Sequence, residues 1–116
     1  MRTLRRPTAA RLLCQVHQIV SGQLGRDLFS SPALEMMLEL YARDEHRPIS
    51  LKTLCGAASA PPRTALFTIN RLVDRQILAR YPDPTDGRRT NVELTEVGYG
   101  LLEDCLDQIL RISIEN

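Results

Sequence analysis

Ser50 to Thr95 is the stretch that most restricts the fold. It holds two helix-length patterns parted by a proline pair, then two strand-length patterns around a loop that neither strand can continue through. Ser50-Leu51-Lys52-Thr53-Leu54-Cys55-Gly56-Ala57-Ala58 sets Leu51, Leu54, Cys55 and Ala58 at i, i+3, i+4 and i+7. That spacing gives one face of a short helix, with Ser50 as its N-cap. Ser59-Ala60-Pro61-Pro62 breaks the pattern, and a longer helix is predicted to run to about Gln76. Its inward stripe is Ala65, Thr68, Ile69 and Leu72; Arg63, Leu66, Phe67, Asn70, Arg71 and Asp74 point outward. Ile77 to Tyr81 reads as a short strand. Pro82-Asp83-Pro84-Thr85-Asp86-Gly87-Arg88-Arg89 is turn chemistry, because two prolines and an Asp-Gly step interrupt a ladder. Thr90 to Thr95 alternates polar and apolar, as a half-buried strand does. Two helices beside a hairpin tipped by Arg88 and Arg89 suit duplex DNA, with a helix in the major groove and the hairpin tip over the minor groove.

Several of these residues carry a family likeness. Leu72-Val73-Asp74-Arg75, Asp83-Pro84-Thr85-Asp86-Gly87-Arg88-Arg89 and Val92-Glu93-Leu94-Thr95-Glu96-Val97-Gly98 resemble the MarR-type winged-helix transcription regulators, across roughly Pro32 to Leu110. The signature is an Asp-x-Arg wing followed by Leu-Thr-x-x-Gly at a helix start. The resemblance implies a mainly α fold with a small β wing, in which a winged helix-turn-helix domain is flanked by N- and C-terminal dimerisation helices. It further implies a homodimer on duplex DNA, with two recognition helices meeting half-sites about one turn apart. Arg88 matches the wing Arg that reaches the minor groove, and Asp86 the acid that orients it. The family pattern carries a further helix beyond the C-terminal end of this sequence.

The 116 residues read as one winged-helix domain: dimerisation helices at 8–25 and 96–116, the helix-turn-helix at 50–76 and the wing at 77–95. A content of 43% hydrophobic and 25% charged residues fits a globular chain. No apolar run is long enough to span a membrane, and the start lacks the apolar block of a secretory signal, so a cytoplasmic protein with no membrane partner is expected. Cys14, Cys55 and Cys105 are odd in number and in no ligand spacing, which suggests free thiols.

A formal net charge of +1 conceals local surpluses. Residues 1–26 carry five arginines and no acid; residues 47–89 carry eight cations against Asp74, Asp83 and Asp86. Phosphate binding responds to local cations, so the near-zero sum does not argue against DNA. Fourteen of the fifteen cations are Arg, which favours bidentate contacts and narrow grooves.

Outside the central stretch, Thr8 to Leu24 is predicted helical, with Thr8 as cap and Leu12, Leu13, Val16, Ile19 and Val20 as its apolar residues. Ser31 caps a second helix that has Pro32 at its first position and Leu34, Met37, Leu38 and Tyr41 inward. Ile49 is expected to pair with the wing as a short third strand. Glu96 to about Ile114 forms a last helix, apolar on more than one face through Val97, Leu101, Leu102, Cys105, Leu106, Ile109, Leu110 and Ile112. The two terminal helices are expected to pack together and against a second subunit.

On the recognition helix Arg63 and Arg71 suit guanine, Asn70 suits adenine and Thr64 a phosphate. Leu66 and Phe67 share that outward face, where MarR-like proteins usually place polar residues. They either touch thymine methyls or anchor a protein, and the second choice gives the rival function, a winged-helix interaction module docking through Leu66 and Phe67. The Pro61-Pro62 pair departs from the usual Ser or Thr cap, and Ser59 cannot supply it. Cys14 lies where peroxide-sensing relatives place a reactive thiol, beside Arg11 and His17; the plainer reading is a small buried residue at a helix interface. Cys55 and Cys105 read as core or interface. His17, His46 and Tyr41 are candidates to line a pocket for a small-molecule effector, as many relatives have. No metal-ligand spacing, acid–base pair or Gly-rich phosphate loop is present, so neither an enzyme nor a cofactor is expected.

Overall fold

The computed structural model describes residues 5–25, 31–43 and 47–112. Its elements run α1 (Arg6–Leu24), α2 (Ser31–Ala42), β1 (Ile49–Ser50), α3 (Leu51–Ala57), α4 (Pro62–Asp74), β2 (Leu78–Pro82), β3 (Thr90–Leu94) and α5 (Glu96–Leu110). The fold is mainly helical, with one antiparallel sheet in the order β1-β3-β2. Ile49 faces Val92 and Leu78 faces Leu94, so the third strand expected at Ile49 is present. Pro82 closes β2 opposite Thr90, on the edge strand, where a missing N–H interrupts no inner ladder.

Several boundaries differ from the sequence expectation. Thr8 is not a cap: α1 starts two residues earlier with Pro7 in its first turn, and Thr8 is buried within the helix. A proline's fixed φ suits the first turn and needs no side-chain cap. Helix α2 begins at Ser31, with Pro32 in its first turn. Leu34 and Tyr41 are half-buried on α2 and Leu38 is exposed, while the deeply buried residues are Ala33, Met36, Met37 and Leu40. In α1, Leu13 stands out of the apolar stripe, 70% exposed, and Val20 and Leu24 carry the burial. Helix α5 ends at Leu110, with Arg111 at its cap; Ile114 lies outside the described residues.

Helix α4 stops at Asp74 rather than Gln76 because the chain turns left-handed there. Gln76 has φ 62° and is, among the described residues, the one non-glycine residue with positive φ. The Gln76 amide donates to the Val73 carbonyl and the Ile77 amide to the Leu72 carbonyl, both at 2.9 Å. These paired bonds form a Schellman ending, which satisfies two helix-end carbonyls and drops Ile77 back onto the core beside Leu72.

Leu54, Ala65, Ile69, Leu72 and Val92 are fully buried, so α3, α4 and β3 share one core with α2 and with Leu102 of α5. Helix α1 packs along α5, as expected of the two terminal helices. Thr95 caps α5: its Oγ accepts from the Gly98 amide at 3.0 Å and donates toward the Gln76 and Ile77 carbonyls. One hydroxyl thereby ties the turn after α4, the start of the hairpin and the start of α5.

Candidate nucleic-acid interface

Helix α4 is the second helix of the helix-turn-helix. Ser50 caps the first, α3, its Oγ accepting from the Thr53 amide at 3.1 Å. No side chain caps α4; the Pro61 carbonyl accepts the first bond, from the Ala65 amide, and the rigid prolines set the helix direction. Ser59, which is free of capping duty, donates both its amide (3.1 Å) and its hydroxyl (2.8 Å) to one oxygen of Glu35 on α2. Glu35 thus fixes the turn between the two helices against α2, a role that local spacing does not reveal.

With Ala65, Ile69 and Leu72 buried, the opposite face of α4 is forced outward. Arg63, Thr64, Leu66, Phe67 and Asn70 are exposed and Arg71 is half-buried. Phe67 is 60% exposed, which is unusual for so large an apolar side chain. The Arg71 guanidinium lies over its ring, 5.8 Å from the centroid, at the i, i+4 spacing that lets two helical side chains meet. Asn70 is not left to itself: Arg80 of β2 donates to its Oδ1 at 2.6 Å. That bond joins the outer side of α4 to the wing. It also uses one of the two acceptor positions of the amide oxygen that a bidentate adenine contact would employ.

The wing loop is organised by Asp83. One of its oxygens accepts from the Thr85 amide (2.8 Å), the Thr85 hydroxyl (2.7 Å) and the Asp86 amide (3.0 Å); the other accepts from Asn91 at 3.1 Å. These four donors, led by Thr85, hold the Asp83 carboxyl far below the usual carboxylate range. At the tip, Asp86 accepts from the Arg88 amide (3.1 Å) and from Arg88 Nε (3.3 Å). The Arg88 side chain is 93% exposed. Such an exposed pair adds little stability, so its consequence is directional: the carboxylate holds the root of an arginine that projects into solvent. Arg89 is exposed beside it. Arg88, Arg89 and Lys52 line one hollow of about 390 Å³ together with Ser50, Leu51 and Thr90. Lys52, Arg80, Asp83 and Glu35 are the contributors that the sequence pattern alone did not single out.

Asp83 makes the wing acid-sensitive. Its carboxyl is depressed in the fold, so the stabilisation is present above the unfolded value of about 3.9 and is lost as pH falls below it. Stability of the wild type is expected to fall more steeply than that of Asp83→Asn as pH drops below about 4. Parallel acid limbs in urea titrations followed by circular dichroism would contradict this.

The other candidates are dispersed. Cys14 is exposed on α1 and not buried at an interface within the chain; Cys55 is half-buried and Cys105 buried, and burial pushes both of their thiols up. Tyr41 packs its ring against Tyr99, centroids 5.9 Å apart, and His17 is exposed on α1. His46 lies outside the described residues. Among the described residues no group of His, Cys, Asp and Glu could hold a metal ion, and no helix is long and apolar enough to cross a membrane.

A capped short helix, an outward-facing second helix and an arginine-tipped β hairpin define a winged helix-turn-helix protein. No family model matches the chain. A curated relative, the HTH-type transcriptional repressor NicR of Pseudomonas putida, is 36% identical over 78 residues, which are 65% of this chain and 49% of NicR. The chain therefore spans about half the length of that relative. Among solved structures, RV1404 from Mycobacterium tuberculosis superposes with a TM-score of 0.72 at 23% identity, over 89% of this chain and 67% of that one. A mutant of S. aureus MepR bound to an oligodeoxyribonucleotide matches with a TM-score of 0.67 at 20% identity, over 96% and 86% of the two chains. The likeness is to the MarR-type winged-helix regulators, in agreement with the wing motif. NicR is a transcriptional repressor.

Proposed function

We propose that this chain is a cytoplasmic DNA-binding transcription regulator that grips duplex DNA as a homodimer. The observation that carries the reading is the exposed, cation-bearing face of α4, joined through Asn70 and Arg80 to a wing whose Arg88 projects from an Asp86 anchor. In this reading Arg63, Thr64, Asn70 and Arg71 enter the major groove, while Arg88 and Arg89 lie over the flanking minor groove, where negative potential is concentrated. That a MepR mutant of the same fold is bound to an oligodeoxyribonucleotide supports DNA as the ligand. The dimer reading draws on α1 and α5, which pack together yet leave Leu13, Val97 and Leu110 exposed. In the rival reading α4 docks a protein through Phe67 and Leu66, and the exposure of Phe67 is the observation in its favour.

A gel-shift series with duplex DNA across salt concentrations separates the two. A DNA binder loses affinity steeply as salt rises, and a docking module does not bind. Arg88→Ala is expected to weaken binding to every duplex by roughly tenfold and to lower the salt slope by about one unit. Undiminished affinity in that variant would remove the wing from the mechanism.

A further inference from the structure

We infer that the exposed Phe67 and Leu66 read the 5-methyl groups of thymine, so that this surface selects sites in which a thymine adjoins a guanine. The inference rests on the DNA-binding reading and adds to it what α4 recognises.

Base edges in the major groove present acceptors, donors and, at thymine alone, a methyl group. Between Arg63 and Arg71, the outer face of α4 supplies guanidinium donors at both ends and two apolar side chains in the middle. Asn70 adds an amide whose Oδ1 already accepts one bond, from Arg80 at 2.6 Å, so one of its two acceptor positions is used. Donors and apolar groups therefore predominate on this stretch. A face of this kind matches bases that offer acceptors and methyls, namely guanine with its N7 and O6 and thymine with its O4 and methyl. It matches poorly the amino groups of adenine and cytosine, which need an acceptor.

Thymine and guanine readout are coupled by geometry. The Arg71 guanidinium sits 5.8 Å from the Phe67 ring centroid, so the ring limits where the guanidinium can reach. A methyl packed against the ring places the neighbouring base next to Arg71, which is why the two bases should be adjacent. The flanking cations also argue for a groove occupant over a protein one: Arg63 and Arg71 bracket the apolar pair along α4, a setting suited to a polyanion.

The test uses the full chain and duplexes selected by it from a random-sequence pool, each then resynthesised with deoxyuridine in place of thymidine. The change removes the methyl and leaves every hydrogen-bonding group in the major groove intact. Wild-type protein is expected to lose about fourfold in affinity per methyl buried, the factor equivalent to one transferred methylene. Phe67→Ala, a change at an exposed position, is expected to bind thymine and uracil duplexes alike. Equal binding of the two duplexes by the wild type would overturn the inference while leaving salt-dependent DNA binding in place. Failure to bind any duplex would overturn the DNA reading as well and leave the apolar pair to a protein partner.

Discussion

Gly98→Ala is expected to destabilise the fold by about 2–3 kcal/mol, lowering Tm by roughly 10 °C or more. Two effects compete at this position. Alanine in a helix ordinarily gains about 1 kcal/mol over glycine. Here, however, an added Cβ would overlap the Ile77 carbonyl and come within 2.9 Å of Leu94 Cδ2. The side chain can rotate away, but the carbonyl cannot. It accepts from the Thr95 amide at 3.0 Å and lies 3.1 Å from the Thr95 hydroxyl, so moving it breaks the joint between wing and α5. The overlap therefore outweighs the helix preference. Gly100 supplies the control: it lies in the same helix with nothing within 4 Å of its Cβ position. Gly100→Ala is expected to be neutral or to stabilise by up to about 1 kcal/mol. Urea titrations of the two variants check the pair, and a Gly98→Ala protein as stable as Gly100→Ala would refute the close-approach argument. The wild-type conformation at Gly98 also explains in physical terms why a glycine stands three residues after the Thr95 cap.

The parts of the molecule that were readable in the sequence are those whose signal is local. Ser50 caps α3 because a hydroxyl at that position meets an amide three residues on, and the burial of Ala65, Ile69 and Leu72 on α4 follows from spacing, whereas Thr68 of the expected stripe is only half-buried. The wing was readable because prolines, an Asp-Gly step and alternating residues are each short-range constraints. The buried face of α2 was not. Leu34, Met36, Met37, Leu38, Leu40 and Tyr41 are all apolar, so there is little polar contrast to pick one stripe, and tertiary packing chose Met36 and Met37. Thr8 is no cap for a related reason: a Thr ahead of an apolar run looks like one, yet the helix starts at Arg6 with Pro7 in its first turn. Contacts between residues far apart in the chain leave no spacing to read. Ser59 meets Glu35 across 24 residues and Arg80 meets Asn70 across ten, so both ties had to await the fold. Asp83 looked like an ordinary turn residue beside the more familiar Asp86, and its four donors converge only once the hairpin is closed.

Charging the outer faces of the terminal helices should have the largest effect on DNA binding of any change in this chain. Leu13 on α1 is 70% exposed and Leu110 on α5 is 82% exposed. In a lone chain, Leu13→Glu and Leu110→Glu would each alter stability by no more than about 0.5 kcal/mol, because neither side chain has packing to lose. In a homodimer formed through these helices, the same substitutions bury a carboxylate against apolar surface, which costs several kcal/mol unless it finds a partner. The double variant is therefore expected to remain folded by circular dichroism and to scatter light as a single chain where the wild type scatters as two. A dimer holds its second recognition helix over the neighbouring half-site at high effective concentration, so separating the chains should weaken binding to a two-half-site duplex on the order of a hundredfold or more. Binding to a single half-site should change little by comparison. That contrast distinguishes loss of pairing from damage to α4 or the wing, since damage there would weaken both duplexes alike. A double variant that remained dimeric would move the subunit contact away from Leu13 and Leu110, and one that became monomeric with unchanged affinity for the two-half-site duplex would end the case for paired recognition helices.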